Sequence, residues 1–254
     1  MGPRDWFLLV LAGFGGGIVG SVAGLASLVS YPALLAVGLP PVTANVSNTV
    51  ALVFSSVGSV WGSRPELTGQ RARVRHLGYV AIAGGTTGAV LLLATPSSAF
   101  VLVVPWLIGL ASLGILIPRR PVSAPDAART AAHHPPGVVV VVCVFLVAVY
   151  GGYFGAGAGV VLLAILLITT AEPLARSNAM KNVLLGLANG VAALFFVAFG
   201  PVHWAAVIPL AVGFLIGGRL GPIIVRRAPA GPLRAVIACG GLGLAVHLGL
   251  DAYG

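Results

Sequence analysis

The 254-residue sequence predicts an all-α polytopic membrane protein of two inverted-topology repeats, each a broken or re-entrant glycine-rich helical segment plus three transmembrane helices. Three observations carry that prediction. The first is composition: 58% of residues are hydrophobic, 7% are charged and the mean hydropathy is +1.06, so there are too few charges to coat a soluble globule. The second is an internal echo. Gly20-Ser-Val-Ala-Gly24 returns as Gly155-Ala-Gly-Ala-Gly159, Ala44-Asn-Val-Ser-Asn48 as Asn178-Ala-Met-Lys-Asn182, and Gly84-Gly-Thr-Thr-Gly88 as Gly217-Gly-Arg-Leu-Gly221. These landmarks keep their order at offsets of 135, 134 and 133 residues, which marks a duplication. The third is the distribution of arginine, which gives the two halves opposite orientations.

Apolar runs fall at 5–38, 42–62, 76–94, 98–117, 137–170, 174–200, 203–225 and 231–250. The chain therefore divides into a first transmembrane repeat over 1–117, a polar, proline-rich linker over 118–136, and a second repeat over 137–254. The opening run of each half is 34 residues long, too long for one span and too short for two with a turn. Glycines interrupt both midway, from Gly15 to Gly24 in one and from Gly151 to Gly159 in the other. Each is read as a hairpin reaching mid-membrane, where non-helical backbone survives only inside protein or beside a wet cavity. The alternative is a long tilted helix whose glycines serve close packing, which gives eight ordinary transmembrane helices.

Arg64, Arg71, Arg73 and Arg75 follow the second run, and Arg119, Arg120 and Arg129 lie in the linker, two connections later. Positive charge marks that shared face as cytoplasmic. In the second half the pattern inverts: the connection at 200–203 has no formal charge, whereas Arg226, Arg227 and Arg234 occupy the counterpart of the bare 95–98 loop. Opposite orientation needs an odd number of crossings per half, hence the re-entrant reading of the opening segment. The net charge of +9 thus orients spans and does not point to nucleic acid. Cys143 and Cys239 both lie in apolar runs, so no disulfide framework is expected.

The candidate substrate groups form one stripe per half. Asn45, Ser47, Asn48, Ser55 and Ser59 lie on the run 42–62, and Asn178, Lys181, Asn182 and Asn189 on the run 174–200. Amides within a span are unfavourable against lipid, so such stripes face the protein interior or a hydrated path. Lys181 flanked by two asparagines suits an anion, as do free amide groups and helix N-termini at breaks formed by Gly20, Gly24, Gly155, Gly157 and Gly159. The competing readings are interhelical amide contacts for the asparagines and a snorkelling cation for Lys181. Arg219, among Gly217, Gly218 and Gly221, is a further candidate contact, or a charge at the inner end of its span.

The sequence resembles the sulfite exporter TauE/SafE family of bacterial membrane permeases over nearly its whole length. The resembling residues are Gly15 to Gly20 and Gly24, Pro40-Pro41 followed by Ala44 to Ala51, and Arg64-Pro-Glu66. The second half adds Gly155 to Gly159, Asn178 to Val183, Val202-His-Trp204 and Gly217 to Gly221. The resemblance implies a multi-pass protein of the bacterial plasma membrane that exports sulfite, sulfoacetate or a similar anion without nucleotide hydrolysis. None of the five acidic residues sits mid-span to relay protons, so membrane potential or an ion gradient is the expected drive. A permease for a cation or another small metabolite, with asparagine carbonyls as ligands, is the alternative, and a partner-binding membrane protein is a more distant one. No His-Glu-x-x-His, Gly-x-Ser-x-Gly or aspartate pair lies in the spans, so neither enzyme activity nor a cofactor or metal is expected. The expected partners are a small-molecule anion, membrane lipid and, as an option, a second copy in a homodimer.

Overall fold

A computed structural model describes residues 1–116, 137–170, 172–225 and isolated positions from 242 to 252. The linker with its arginines and histidines, Arg226, Arg227, Arg234 and Cys239 lie outside the described residues, as does most of the last apolar run. Every regular element among the described residues is a helix. In chain order they are α1 (Pro3–Ala23), α2 (Ser27–Ala36), α3 (Pro41–Gly62), the single turn α4 (Arg64–Leu67), α5 (Arg71–Ala94) and α6 (Ser97–Leu116). After the linker come α7 (Val138–Tyr153), α8 (Ala158–Thr169), α9 (Leu174–Phe199) and α10 (Trp204–Val225). Helices α1, α5, α9 and most of α10 are long and apolar enough to cross a membrane.

Local chemistry explains the boundaries. Pro3, Pro41 and Pro65 each sit in a first helical turn, where the missing N–H is no loss. Both opening segments break where their glycines cluster, between α1 and α2 and between α7 and α8. Gly24 ends α1 in the left-handed region (φ 78°) and donates its N–H to Gly20 O at 2.8 Å, a conformation that a β-carbon penalises. The chain then doubles back, since a Cβ on Gly16 would lie 3.3 Å from Ala26 O and one on Gly15 4.0 Å from Val29 Cγ1. A single long helix is therefore excluded for the first segment, and the break between Tyr153 and Ala158, with Gly155 and Gly157 left-handed, excludes it for the second. By length α1 can span a core of about 30 Å on its own, while α2 rises only about 15 Å and α8 about 18 Å.

The packing interleaves the halves. Helix α1 lies along α10, and α7 lies along α5; α3 and α9, which carry the polar stripes, pack on each other and on α10 and α5 respectively. The repeated glycines make these crossings close. A Cβ on Gly17 would fall 2.7 Å from the Gly218 nitrogen, and one on Gly152 would fall 3.0 Å from Gly85 Cα. One apolar core joins Leu77 and Ala81 of the first half to Val144, Leu162 and Leu184 of the second, so it is completed only when the halves meet. Large apolar side chains such as Phe7, Phe54, Trp106 and Phe199 stand exposed on the outside, as a lipid-facing surface requires.

Candidate functional site

The two hairpin bends meet at the centre of the molecule. A Cβ on Gly159 would fall 2.5 Å from Gly24 Cα, so backbones touch at two positions that the sequence repeat makes equivalent. Beside this contact lies a cavity of about 50 Å³. At roughly 10–15 Å³ per water, it has room for a few waters or one small oxyanion. The hairpins contribute Gly20, Ser21, Gly24 and Ser27 from one side and Gly155, Ala158 and Gly159 from the other. Helix α3 contributes Ser55, Ser56 and Ser59, and α9 contributes Asn182 and Asn189. Leu52, Leu185 and Ala26 complete a lining that mixes hydroxyl, amide and backbone groups with apolar side chains and, among the described residues, has no acidic one.

Four helix ends converge here, and their fields are not equally balanced. Helices α1 and α7 arrive with their C-termini, whose last carbonyls lack intrahelical donors. Both receive donors from the opposite half. Lys181 of α9, fully buried, donates from Nζ to Gly20 O at 3.0 Å and Ser21 O at 3.2 Å, while Asn178 Nδ2 donates to Ser21 O at 2.9 Å. Across the contact, Asn45 Nδ2 of α3 donates to Tyr153 O at 2.9 Å, while within the second hairpin itself the Tyr150 hydroxyl donates to Ala156 O at 2.6 Å. Helices α2 and α8 instead begin beside the cavity, at Ser27 and Ala158, with the positive ends of their dipoles, although turn carbonyls already take most of the first N–H groups: Leu25 O and Ala26 O accept from Leu28 and Val29, and Gly155 O and Gly157 O from Ala158 and Val160. With side-chain donors on carbonyls of both C-termini and two helix dipoles beginning beside the cavity, the site has the polarity that suits an anion.

Of the residues singled out in the sequence, Asn182, Asn189, Gly20, Gly24, Gly155 and Gly159 line the cavity. Lys181, Asn178 and Asn45 stand behind its walls on the carbonyls just named. Asn48 is one hydrogen bond removed: its Nδ2 donates to Ser27 Oγ at 3.2 Å, and its Oδ1 accepts from Ser30 Oγ at 2.6 Å. Gly157 is the left-handed residue that starts α8 (φ 77°) and is not part of the wall. Ser47 accepts the His203 N–H at 2.9 Å ahead of α10. Arg219 lies elsewhere, exposed, with its guanidinium 4.1 Å from the centroid of the Trp61 ring. Sequence reading passed over Ser21, Ser27 and Ser56. The usable signal was the position of Ser21 and Ser27 on either side of the glycine break; Ser56 had none.

The sequence model of one family, described as Sulfite exporter TauE/SafE, matches residues 9–248 of the chain. No curated protein and no solved structure matches it.

Proposed function

Since the chain belongs to the sulfite exporter TauE/SafE family and so is a membrane transporter of sulfite-type anions, we propose that it exports sulfite, sulfoacetate or a close relative through the cavity at the Gly24–Gly159 contact. The observation that supports this reading is the pair of helix N-termini, α2 and α8, beginning beside a cavity where Lys181, Asn178 and Asn45 hold carbonyls of the opposing C-termini. Equivalent residues of two repeats can touch only beside the axis that relates them, so this contact supports a pseudo-two-fold through the site. Rocking of one set of helices against the other about that axis is the alternating access such duplicated transporters use. Asn182 and Asn189 then give hydrogen bonds to the oxyanion with Ser27 and Ser55. Lys181 acts one layer back, neutralising the end of α1 so that its carbonyls do not repel the substrate.

Transport of one negative charge outward down an inside-negative potential of 100 mV releases about 2.3 kcal/mol, enough to drive efflux without a proton-carrying carboxylate. The setting proposed is the plasma membrane of a bacterium, with the arginine-rich connection at 64–75 inside.

The test is flux from proteoliposomes loaded in turn with sulfite, sulfoacetate, sulfate or a divalent cation, with the potential set by potassium and valinomycin. Sulfite or sulfoacetate efflux should rise with an inside-negative potential, and Asn189→Leu should raise KM. Cation flux as the sole activity would overturn the anion reading.

A further inference from the structure

Apart from the central cavity, a groove of about 550 Å³ opens on the outer surface between α3 and α9. Its sides are apolar, formed by Val53, Val57 and Val60 on one helix and Leu187 on the other, and Val57 is more than half exposed. From Val53 to Trp61 the groove follows α3 for about 12 Å. One end is basic. Arg64 belongs to the groove and to a second space of about 520 Å³ that continues past it to Arg71. Trp61, 48% exposed, lies at the junction with the Arg219 guanidinium 4.1 Å and the Arg64 guanidinium 6.0 Å from its ring centroid. Arg64, Arg71 and Arg219 are all exposed, and the ion pairs described nearby engage other arginines, Arg73 and Arg176, with Glu172.

We propose that this groove is a binding site for one anionic phospholipid, with an acyl chain lying between α3 and α9 and the headgroup phosphate held by Arg64 and Arg71. The two halves of the groove match the two halves of the molecule proposed. A freely hydrated anion gains nothing from valine and leucine walls, and a zwitterionic lipid, whose ammonium offsets its phosphate, gains less from arginines at their end than an anionic one. A tryptophan at the boundary, half in contact with arginine and half open, is the side chain that favours the headgroup level of a bilayer. The site also adjoins the transport path: Ser56 lines both the groove and the central cavity, and Gly186 allows this closeness, since a Cβ there would fall 2.8 Å from Ser56 Cβ. The lipid site does not depend on which substrate the cavity carries.

The experiment uses the full chain, delipidated in detergent and titrated with brominated-chain phosphatidylglycerol or brominated-chain phosphatidylcholine. Quenching at Trp61 is read as the difference between the unaltered protein and Trp61→Phe. Phosphatidylglycerol should quench at a mole fraction roughly tenfold lower than phosphatidylcholine. Arg64→Gln with Arg71→Gln should erase that preference, and Arg75→Gln, exposed on the same connection, should leave it intact. Equal quenching by the two lipids would overturn the site, and this comparison decides the matter even if the double variant fails to fold. A preference that survives the double variant would overturn it as well. So would displacement of phosphatidylglycerol by millimolar inorganic phosphate or sulfite, which would reassign the arginines to an aqueous anion.

Discussion

The two hairpins solve one problem by different means. Each must end a helix inside the protein, leaving carbonyls without donors in a region where water is scarce. The first, α1–α2, bends at Gly24 and is closed by a charge, Lys181, together with Asn178 from the opposite half. The second, α7–α8, bends through two left-handed glycines, Gly155 and Gly157, and is closed by the neutral groups of Asn45 and Tyr150. Its bend is also packed: Phe154 meets Tyr31 edge-on at 5.3 Å and Phe100 at 6.0 Å. A duplicated backbone thus acquires one electrostatically held bend and one sterically held bend. A charge-assisted hydrogen bond is roughly twice as strong as a neutral one, which sets the expected order of sensitivity.

The largest effect is expected where the two hairpins touch. Gly24→Val puts a branched side chain into a left-handed position and against Gly159, at a combined cost of about 3–5 kcal/mol. Flux in liposomes should disappear, and normal flux from this variant would break the comparison at its root. Next comes Lys181→Met, which removes the lysine's two hydrogen bonds and leaves Gly20 O with the Gly24 N–H and Ser21 O with Asn178 Nδ2, at about 2–3 kcal/mol. Thermal unfolding should fall sharply, and substrate affinity with it; Lys181→Arg should recover part of both.

On the second hairpin the matching change, Asn45→Leu, removes one neutral hydrogen bond and should cost about 1–2 kcal/mol. Phe154→Leu should cost a similar amount by loosening the aromatic contacts. If unfolding measurements show these two matching or exceeding Lys181→Met, the distinction between a charged and a packed bend fails. The smallest effect belongs to Arg219→Gln, about 0.5–1 kcal/mol from the stack on Trp61, with sulfite KM unchanged because Arg219 is outside the cavity. A raised KM would return Arg219 to the substrate site.

Much of the fold was legible because the signals are local. Hydropathy located the helices of the described residues, four of them long and apolar enough to cross a membrane, and the glycine clusters located both breaks to within a few residues. The repeated glycine triplets were recognisable as landmarks, yet their purpose was not: that Gly217 admits α1 and Gly218 admits α3, while Gly84 admits α7 and Gly85 admits α9, depends on which helix arrives there. The candidate site was legible in part. Asn182 and Asn189 were found from their helical spacing and do line the cavity. Lys181 was read as facing a ligand, and its Nζ instead lies on two carbonyls about 160 positions earlier in the chain, a distance that no spacing rule reaches.

By itself the sequence determined an apolar, helical chain, the echo of its glycine and amide landmarks, its two glycine breaks and the presence of a polar stripe before and after the linker. These follow from composition and from backbone preferences acting over a few residues. Only the tertiary structure decided that each half caps the helix ends of the other, that Gly24 meets Gly159, and that serines complete the cavity wall. The physical reason is that apolar helices in lipid are nearly uniform on their outsides, so partner choice rests on small-residue fit and on satisfying buried backbone groups. Both are settled between distant segments, after the helices have formed.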